Sequence, residues 1–184
     1  MEKNVYLIRW YGPFKTPKEV KEFENEHEHT FKCSLYLLHG KLKHAKSREH
    51  YYCGMSEREI FARLRDKGHH IEEIKDRLNS IYVGRISNVK RLNSECIRLA
   101  ENIITAVLAN EVGDKQILNK INMYYPNTNV YVINEWWDKD AIYIQERHPS
   151  NAPSHIVPDV ISYHYDETKN EYSLFGCKKL KRVE

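Results

Sequence analysis

Two short tyrosine motifs stand sixteen positions apart in this chain, Ser34-Leu35-Tyr36 and Tyr52-Cys53-Gly54. Arg63, His69 and His70 follow, and much later Glu101 and the pair Leu118-Asn119. Cleaving a phosphodiester with water needs a base for the water proton and a cation for the charge developing on the phosphate. It also needs a metal ion on a phosphate oxygen and support for the leaving oxygen. The ordered set holds groups for these tasks. Glu101 is a hard carboxylate that suits Mg²⁺, with water and substrate phosphate completing the octahedron. Arg63 carries a planar, permanently charged fork able to bind two phosphate oxygens. His69 or His70 can shuttle protons or hydrogen-bond a tyrosine near neutral pH. Tyr36 is a poor base at its ordinary pKa of about 10, and nearby metal and arginine charge would favour its phenolate.

The elements that must position these groups can be read from periodicity and punctuation. Residues 4–10 alternate as a strand that Tyr11-Gly12-Pro13 ends. Thr16 caps a short acidic helix with Pro17 in its first turn, running to about Glu28. Strands are expected at 32–39 and 51–54, separated by a polar loop. Ser56 with Glu59 forms a capping-box pattern, so a helix is predicted from Glu57, with Ile60, Phe61 and Leu64 inward and Gly68 at its end. One or two helical turns at 71–78 and a strand at 80–86 come next. Leu92, Cys96, Leu99, Ile103, Val107 and Leu108 then mark the strongest helix, about 91–110. Beyond about 126 the pattern is mostly β: 129–134 and 141–146 read as a pair, and 160–165 and 171–176 as a hairpin around 166–170. The fold class is α+β with a small sheet.

At 184 residues the chain suits one compact core with an appendage. Residues 41–98 hold fourteen Lys and Arg against eight Asp and Glu, a local +6, while the rest holds fifteen against eighteen, or −3. The basic surplus thus lies around the tyrosine, arginine and histidine candidates and favours a polyanionic partner. Lys41, Lys43, Arg65 and Lys67 are the candidate contacts to substrate phosphates, with Arg65 the nearest rival of Arg63. The four cysteines form no CxxC pair, which points to reduced thiols in the cytoplasm. The N-terminus lacks a long apolar stretch, so no signal peptide is expected, and nothing approaches a membrane span. His39, His44 and His50 lack metal-ligand spacing. Of Trp136-Trp137, strand alternation turns one inward and leaves the other able to stack on unpaired bases.

The order Tyr, Tyr, Arg, Glu, Asn resembles the GIY-YIG nuclease superfamily. Ser34-Leu35-Tyr36 is similar to its first motif and Tyr52-Cys53-Gly54 to its second. Arg63, nine residues after Gly54, falls where the family's helix carries its arginine. The run AENIITAVLANEVGDKQILN resembles the family's glutamate helix and following Leu-Asn pair, mapping onto Glu101 and Asn119. RWYGPF resembles a lead-in of some stand-alone bacterial members.

The resemblance covers 31–120 well, the first 30 residues loosely and the tail hardly at all. The expected division is an N-terminal strand and helix in 1–30, a nuclease core in 31–125 and a β-rich extension in 126–184. The resemblance implies a small mixed β-sheet flanked by helices, with the site on one sheet face. It also implies DNA hydrolysis with one Mg²⁺ (or Mn²⁺) held by Glu101. Tyr36 would be the general base, Tyr52 would position water or phosphate, Arg63 would stabilise the phosphate, and Gly54 and Asn119 would support the site. A homodimer through the extension is a further expectation. The chain departs from the family pattern at Ser34, at Cys53 and at Lys67, which stands where many members carry a histidine or tyrosine. Either the helix ends early and His69 or His70 enters the site, or Lys67 takes part.

Overall fold

The computed structural model describes residues 4–27, 33–43, 48–119, 126–140, 142 and 152–177, without the Lys75 side chain. Its elements in chain order are β1 (Asn4–Phe14), α1 (Pro17–Glu26), β2 (Ser34–Gly40), β3 (His50–Ser56), α2 (Ile60–Leu64), α3 (Ile71–Ile74) and β4 (Leu78–Ile86). Then come α4 (Ser94–Val112), β5 (Val130–Trp137), α5 (Pro153–Ile156), β6 (Val160–Asp166) and β7 (Glu171–Cys177). Seven strands form one mixed sheet in the order β3-β2-β4-β1-β5-β6-β7. Neighbours are antiparallel except β1 and β5, which run parallel from Asn4↔Val130 to Tyr11↔Trp137. The α+β class is therefore the one observed, and the C-terminal strands continue the sheet through β1.

Alternation along the strands divides the interior in two. Tyr6, Ile8 and Trp10 of β1, Leu35 and Leu37 of β2 and Val130 and Val132 of β5 point to one face. There they meet Ile97, Ala100, Ile103, Ile104, Val107 and Leu108 of α4. Asn93 caps that helix by accepting a hydrogen bond from the Cys96 amide, and Gly113, at φ 86°, ends it. Tyr36, Leu38 and Tyr52 point to the other face, against Val20 and Phe23 of α1, Ile60 and Leu64 of α2 and Ile71 and Ile74 of α3. The sheet is thus sandwiched at its β3-β2-β4 end, with α4 below and three short helices above.

One expectation of strand pairing changes. The strand starting at 129 was expected to pair with 141–146. Instead β5 pairs with β1 and β6, because its alternating Val130, Val132, Asn134 and Trp136 complete the α4 face alongside Tyr6 to Trp10. Of 141–146, only Ile142 lies among the described residues. The hairpin at β6 and β7 forms as read, with Asp166 Oδ1 accepting hydrogen bonds from Thr168 and Lys169 in the turn. Among the described residues, no helix is long and apolar enough to cross a membrane.

Candidate active site

The β2–β3 register sets Tyr36 directly opposite Gly54 and Leu38 opposite Tyr52, so both tyrosines stand on the face covered by α1 to α3. Their rings lie 5.8 Å apart. Gly54 is required by that packing. A Cβ there would collide with Tyr36 Cζ, and would sit 2.5 Å from Tyr36 Oη and 2.6 Å from Tyr52 Cε1. The last residue of the second motif is therefore the floor on which the tyrosine of the first lies.

The capping box predicted at Ser56 and Glu59 is not what starts the arginine helix. Ser56 remains in β3, and its hydroxyl accepts from the Arg58 amide rather than from the Glu59 amide a capping box requires. The first amides of α2 are capped from outside: Ile60 N–H donates to Glu24 Oε1 (2.6 Å) and Phe61 N–H to Glu24 Oε2 (3.0 Å). Burial raises the Glu24 pKa, and the two amides pull it back down. One carboxylate of α1 thereby fixes the start of the helix that carries Arg63. No local pattern signals this, because the partners are more than thirty-five positions apart.

Helix α2 ends at Leu64, well before the histidines. Gly68, at φ 73°, turns the chain back, and His69 comes to rest with 4% of its surface exposed. Of the alternatives left open by the sequence, the helix ends early and the histidine enters. His69 Nε2 lies 2.7 Å from Tyr36 Oη. The Ile71 amide donates to His69 Nδ1 at 3.0 Å. In the neutral ring this leaves the proton on Nε2, so His69 donates to the Tyr36 oxygen. Burial, aided by Arg63 and His70, lowers the His69 pKa to about 4 and keeps it neutral.

Tyr36 is fully buried, and that burial raises its pKa far above the ordinary phenol range. Arg63 opposes the shift without overcoming it, so the charge expected to favour a phenolate is outweighed here by desolvation. Tyr52 is raised as well, first by burial; its contact with Tyr36 opposes the rise and the Glu101 charge adds to it. His70 differs from His69. Its Nδ1 lies 2.6 Å from Glu73 Oε1 and its ring centroid is 4.8 Å from that of Tyr52. Donation from Nδ1 to the carboxylate leaves Nε2 as the acceptor of the neutral ring.

Arg63 reaches the tyrosines from the rim, its side chain 38% exposed, and pairs with Asp66 Oδ2 at 2.7 Å. Arg58 shares that carboxylate. Glu101 comes from α4, on the opposite side of the sheet, and its buried carboxylate acts electrostatically on Tyr52 and on the Cys53 thiol between the two tyrosine-face residues. Asn119 binds the edge of β3: its Oδ1 accepts from the Cys53 amide (3.1 Å) and its Nδ2 donates to the Cys53 carbonyl (2.6 Å). Tyr36, Tyr52, His69, His70 and Arg63 are therefore brought together, Glu101 approaches from beneath, and Gly54 and Asn119 hold the frame.

The expected phosphate contacts are arranged differently. Lys41 Nζ pairs with Glu49 at 3.1 Å, in a network that also joins His39 Nε2 to Glu49. Arg65 lies over the Phe61 ring at 5.5 Å. Lys43 and Lys67 are exposed in turns. His44 lies outside the described residues. Trp136 is the inward residue of its pair, stacked on Trp10 at 5.6 Å, and Trp137 stands on the opposite face. Residues that sequence reasoning passed over are Glu24, Asp66 and Glu73. For the last two, an acidic residue three positions after Arg63 and after His70 is a signal that helical spacing offers.

Glu101 is the one carboxylate among the described residues that acts on both Tyr52 and Cys53, and no group of three or more His, Cys, Asp or Glu there could cage a metal ion. A hard, strongly hydrated ion can bind through one protein carboxylate when water and substrate phosphate supply its other oxygens, and Glu101 could be that carboxylate. In comparisons with models of protein families, with curated proteins and with solved structures, nothing matches this chain.

Proposed function

We propose that this chain is an endonuclease that hydrolyses DNA phosphodiester bonds with Mg²⁺ or Mn²⁺, working as the GIY-YIG enzymes it resembles do, with a core at 31–125. The observation that carries the reading is the 2.7 Å contact of the Tyr36 hydroxyl with His69, in a cluster that also holds Tyr52, His70 and Arg63. At the rim, Arg63 would exchange Asp66 for two phosphate oxygens, a bidentate fit that lysine lacks. Tyr36 serves as general base in this reading. That role needs the phenolate, which burial opposes; His69 Nε2–H and Arg63 would favour it, and the charge of a bound cation would have to supply the rest. Tyr52 orients the attacking water or supports the phosphate. His69, fixed in one tautomer by the Ile71 amide, aims Tyr36; His70, its side chain 26% exposed, passes protons to solvent. When bound on Glu101, the ion supplies positive charge that acidifies nearby water and polarises a phosphate oxygen.

Four free cysteines support a cytoplasmic setting. The edge strand β7, with Tyr172 and Phe175 exposed, supports a homodimer through the C-terminal extension at 126–184. One observation favours a second reading, a non-catalytic nucleic-acid-binding module: Tyr36 is fully buried, as an ordinary core tyrosine would be. Nicking of supercoiled plasmid separates the two. The nuclease cuts with Mg²⁺, stops in EDTA and loses activity as Glu101→Ala. A protein that nicks no DNA or RNA with Mg²⁺ or Mn²⁺, and whose nucleic-acid binding is unchanged in Glu101→Ala, is the module.

A further inference from the structure

The strand registers carry the tyrosine cluster beyond the helices that cover it. Tyr36 pairs with Val83, Val83 with Tyr11, and Tyr11 with Trp137. Paired residues share a face, so Gly54, Tyr36, Val83, Tyr11 and Trp137 form one row across five strands. Three interstrand steps of about 4.8 Å separate Tyr36 from Trp137, roughly 14 Å. Two residues along the strands, on the same face, a second row runs Arg85, Arg9, Glu135. Helix α1 reaches this face as far as Tyr11, where Phe23 lies 5.2 Å from the Tyr11 ring. Past that point no described helix covers the face, and it continues through Val5, Tyr131, Ser162 and Phe175, which is 64% exposed.

The chemistry of this strip is specific. The Arg9 guanidinium lies over the Trp137 ring at 5.5 Å, and its Nε donates to Glu135 at 3.1 Å. Trp137 Nε1–H donates to the same carboxylate at 3.4 Å, so Glu135 holds both planar groups in place. Arg9 and Arg85 both act on the Tyr11 hydroxyl. Two arginines against one glutamate leave the strip net positive. Aromatic rings interleaved with arginines on an open sheet face suit bases and phosphates together. An apolar protein partner would leave the arginines desolvated and without phosphate to pair with.

We propose that Trp137, Arg9 and Arg85, at the open end of the row beyond α1, bind an unpaired segment of the DNA strand whose phosphodiester enters the Tyr36 cluster, the strand passing round α1 rather than beneath it. Bases stack at Trp137 and phosphates meet Arg85 and Arg9, so the preferred substrate is single-stranded or carries a single-stranded arm. The inference rests on the nuclease reading for its direction towards Tyr36, while the binding surface itself can be measured without catalysis.

The test is fluorescence anisotropy in EDTA with a labelled single-stranded oligonucleotide and its matched duplex, over a salt series, with folding checked by thermal melting. Wild type is expected to bind the single strand more tightly than the duplex. Trp137→Ala is expected to weaken single-strand binding about tenfold, and Trp137→Phe to restore most of it. Arg85→Ala is expected to weaken it and to flatten the dependence of log K on log salt by about 0.7, one phosphate contact on a single strand. Folded Trp137→Ala and Arg85→Ala proteins that bind the single strand as wild type does would overturn the proposal. So would sedimentation showing a dimer that Trp137→Ala dissociates, which would assign the face to a second copy. The two readings fail separately: binding that responds as stated in a protein that nicks nothing removes the nuclease and keeps the surface. Mg²⁺-dependent nicking with binding indifferent to both substitutions does the reverse.

Discussion

Replacing Gly54 by alanine adds one methyl group at the point where the two tyrosine motifs meet. The new Cβ would lie 2.5 Å from Tyr36 Oη and 2.6 Å from Tyr52 Cε1, against a comfortable separation of about 3.5–4.0 Å. Two rings must each move by about 1 Å. Tyr36 is fully buried between α2, α3 and the sheet, so it cannot move outward without displacing His69. Overpacking of this kind costs about 1–3 kcal/mol, which for a chain of this size lowers Tm by roughly 2–12 °C. The hydroxyl also loses its 2.7 Å approach to His69, and a misplacement of about 1 Å at a reacting group costs on the order of 100-fold in rate. Thermal melting reads the first effect. The second is read by nicking rate and by ¹⁵N resonances of the His69 ring, which distinguish its tautomers. Gly84→Ala is the companion: its Cβ would meet the Trp10 ring at 2.5–2.9 Å on the α4 face, so it should lose comparable stability without altering His69. A Gly54→Ala protein with wild-type Tm and an unchanged His69 spectrum would refute the packing argument.

Three further outcomes follow from the same contacts. Glu24→Ala strips the acceptor from two amides at the start of α2 and should cost about 1–3 kcal/mol in urea unfolding, with a larger proportional loss of nicking because Arg63 rides on that helix. Asn119→Ala leaves the Cys53 amide and carbonyl without their side-chain partner at a buried edge and should cost about 2–4 kcal/mol; Asn119→Asp, which sets a second acceptor against the Cys53 carbonyl, should recover none of it. His69 has a folded pKa of about 4 against an ordinary 6.5, so between these values the unfolded chain binds a proton that the folded chain does not. Its contribution is complete above pH 6.5 and is lost as pH falls towards 4; at about 1.4 kcal/mol per pH unit it is capped at about 3.5 kcal/mol. Urea unfolding at pH 7 and pH 4.5 should show a smaller acid loss in His69→Gln than in wild type, and an equal loss in both would contradict the assignment.

The sequence carried the parts of this fold that depend on local alternation and helical period. The strand around Tyr36, the strand around Tyr52, the capped α1 and the long α4 all follow from neighbours within a few residues. What it could not carry are pairings between distant segments. Tyr6 opposite Val132 and Glu24 under the Ile60 amide depend on how elements dock. The Ser56–Glu59 pattern misled for that reason: the local cap it proposed was displaced by a carboxylate from α1. The same limit applies to the charges. The basic surplus at 41–98 was visible, yet whether a lysine stands free or pairs, as Lys41 does with Glu49, is a property of the packed chain. Burial, which sets the direction of the Tyr36 and His69 pKa values, is likewise a property of the assembled core.

The most direct measurement of the central claim is single-turnover cleavage of a labelled DNA strand with Mg²⁺ by wild type, Tyr36→Phe and Glu101→Gln, each shown to be folded by its melting curve. The account predicts cleavage by wild type that EDTA abolishes, and a loss of at least about 100-fold in each variant, the scale of a positioned acid–base group. Cleavage by folded Tyr36→Phe or Glu101→Gln at the wild-type rate would contradict it.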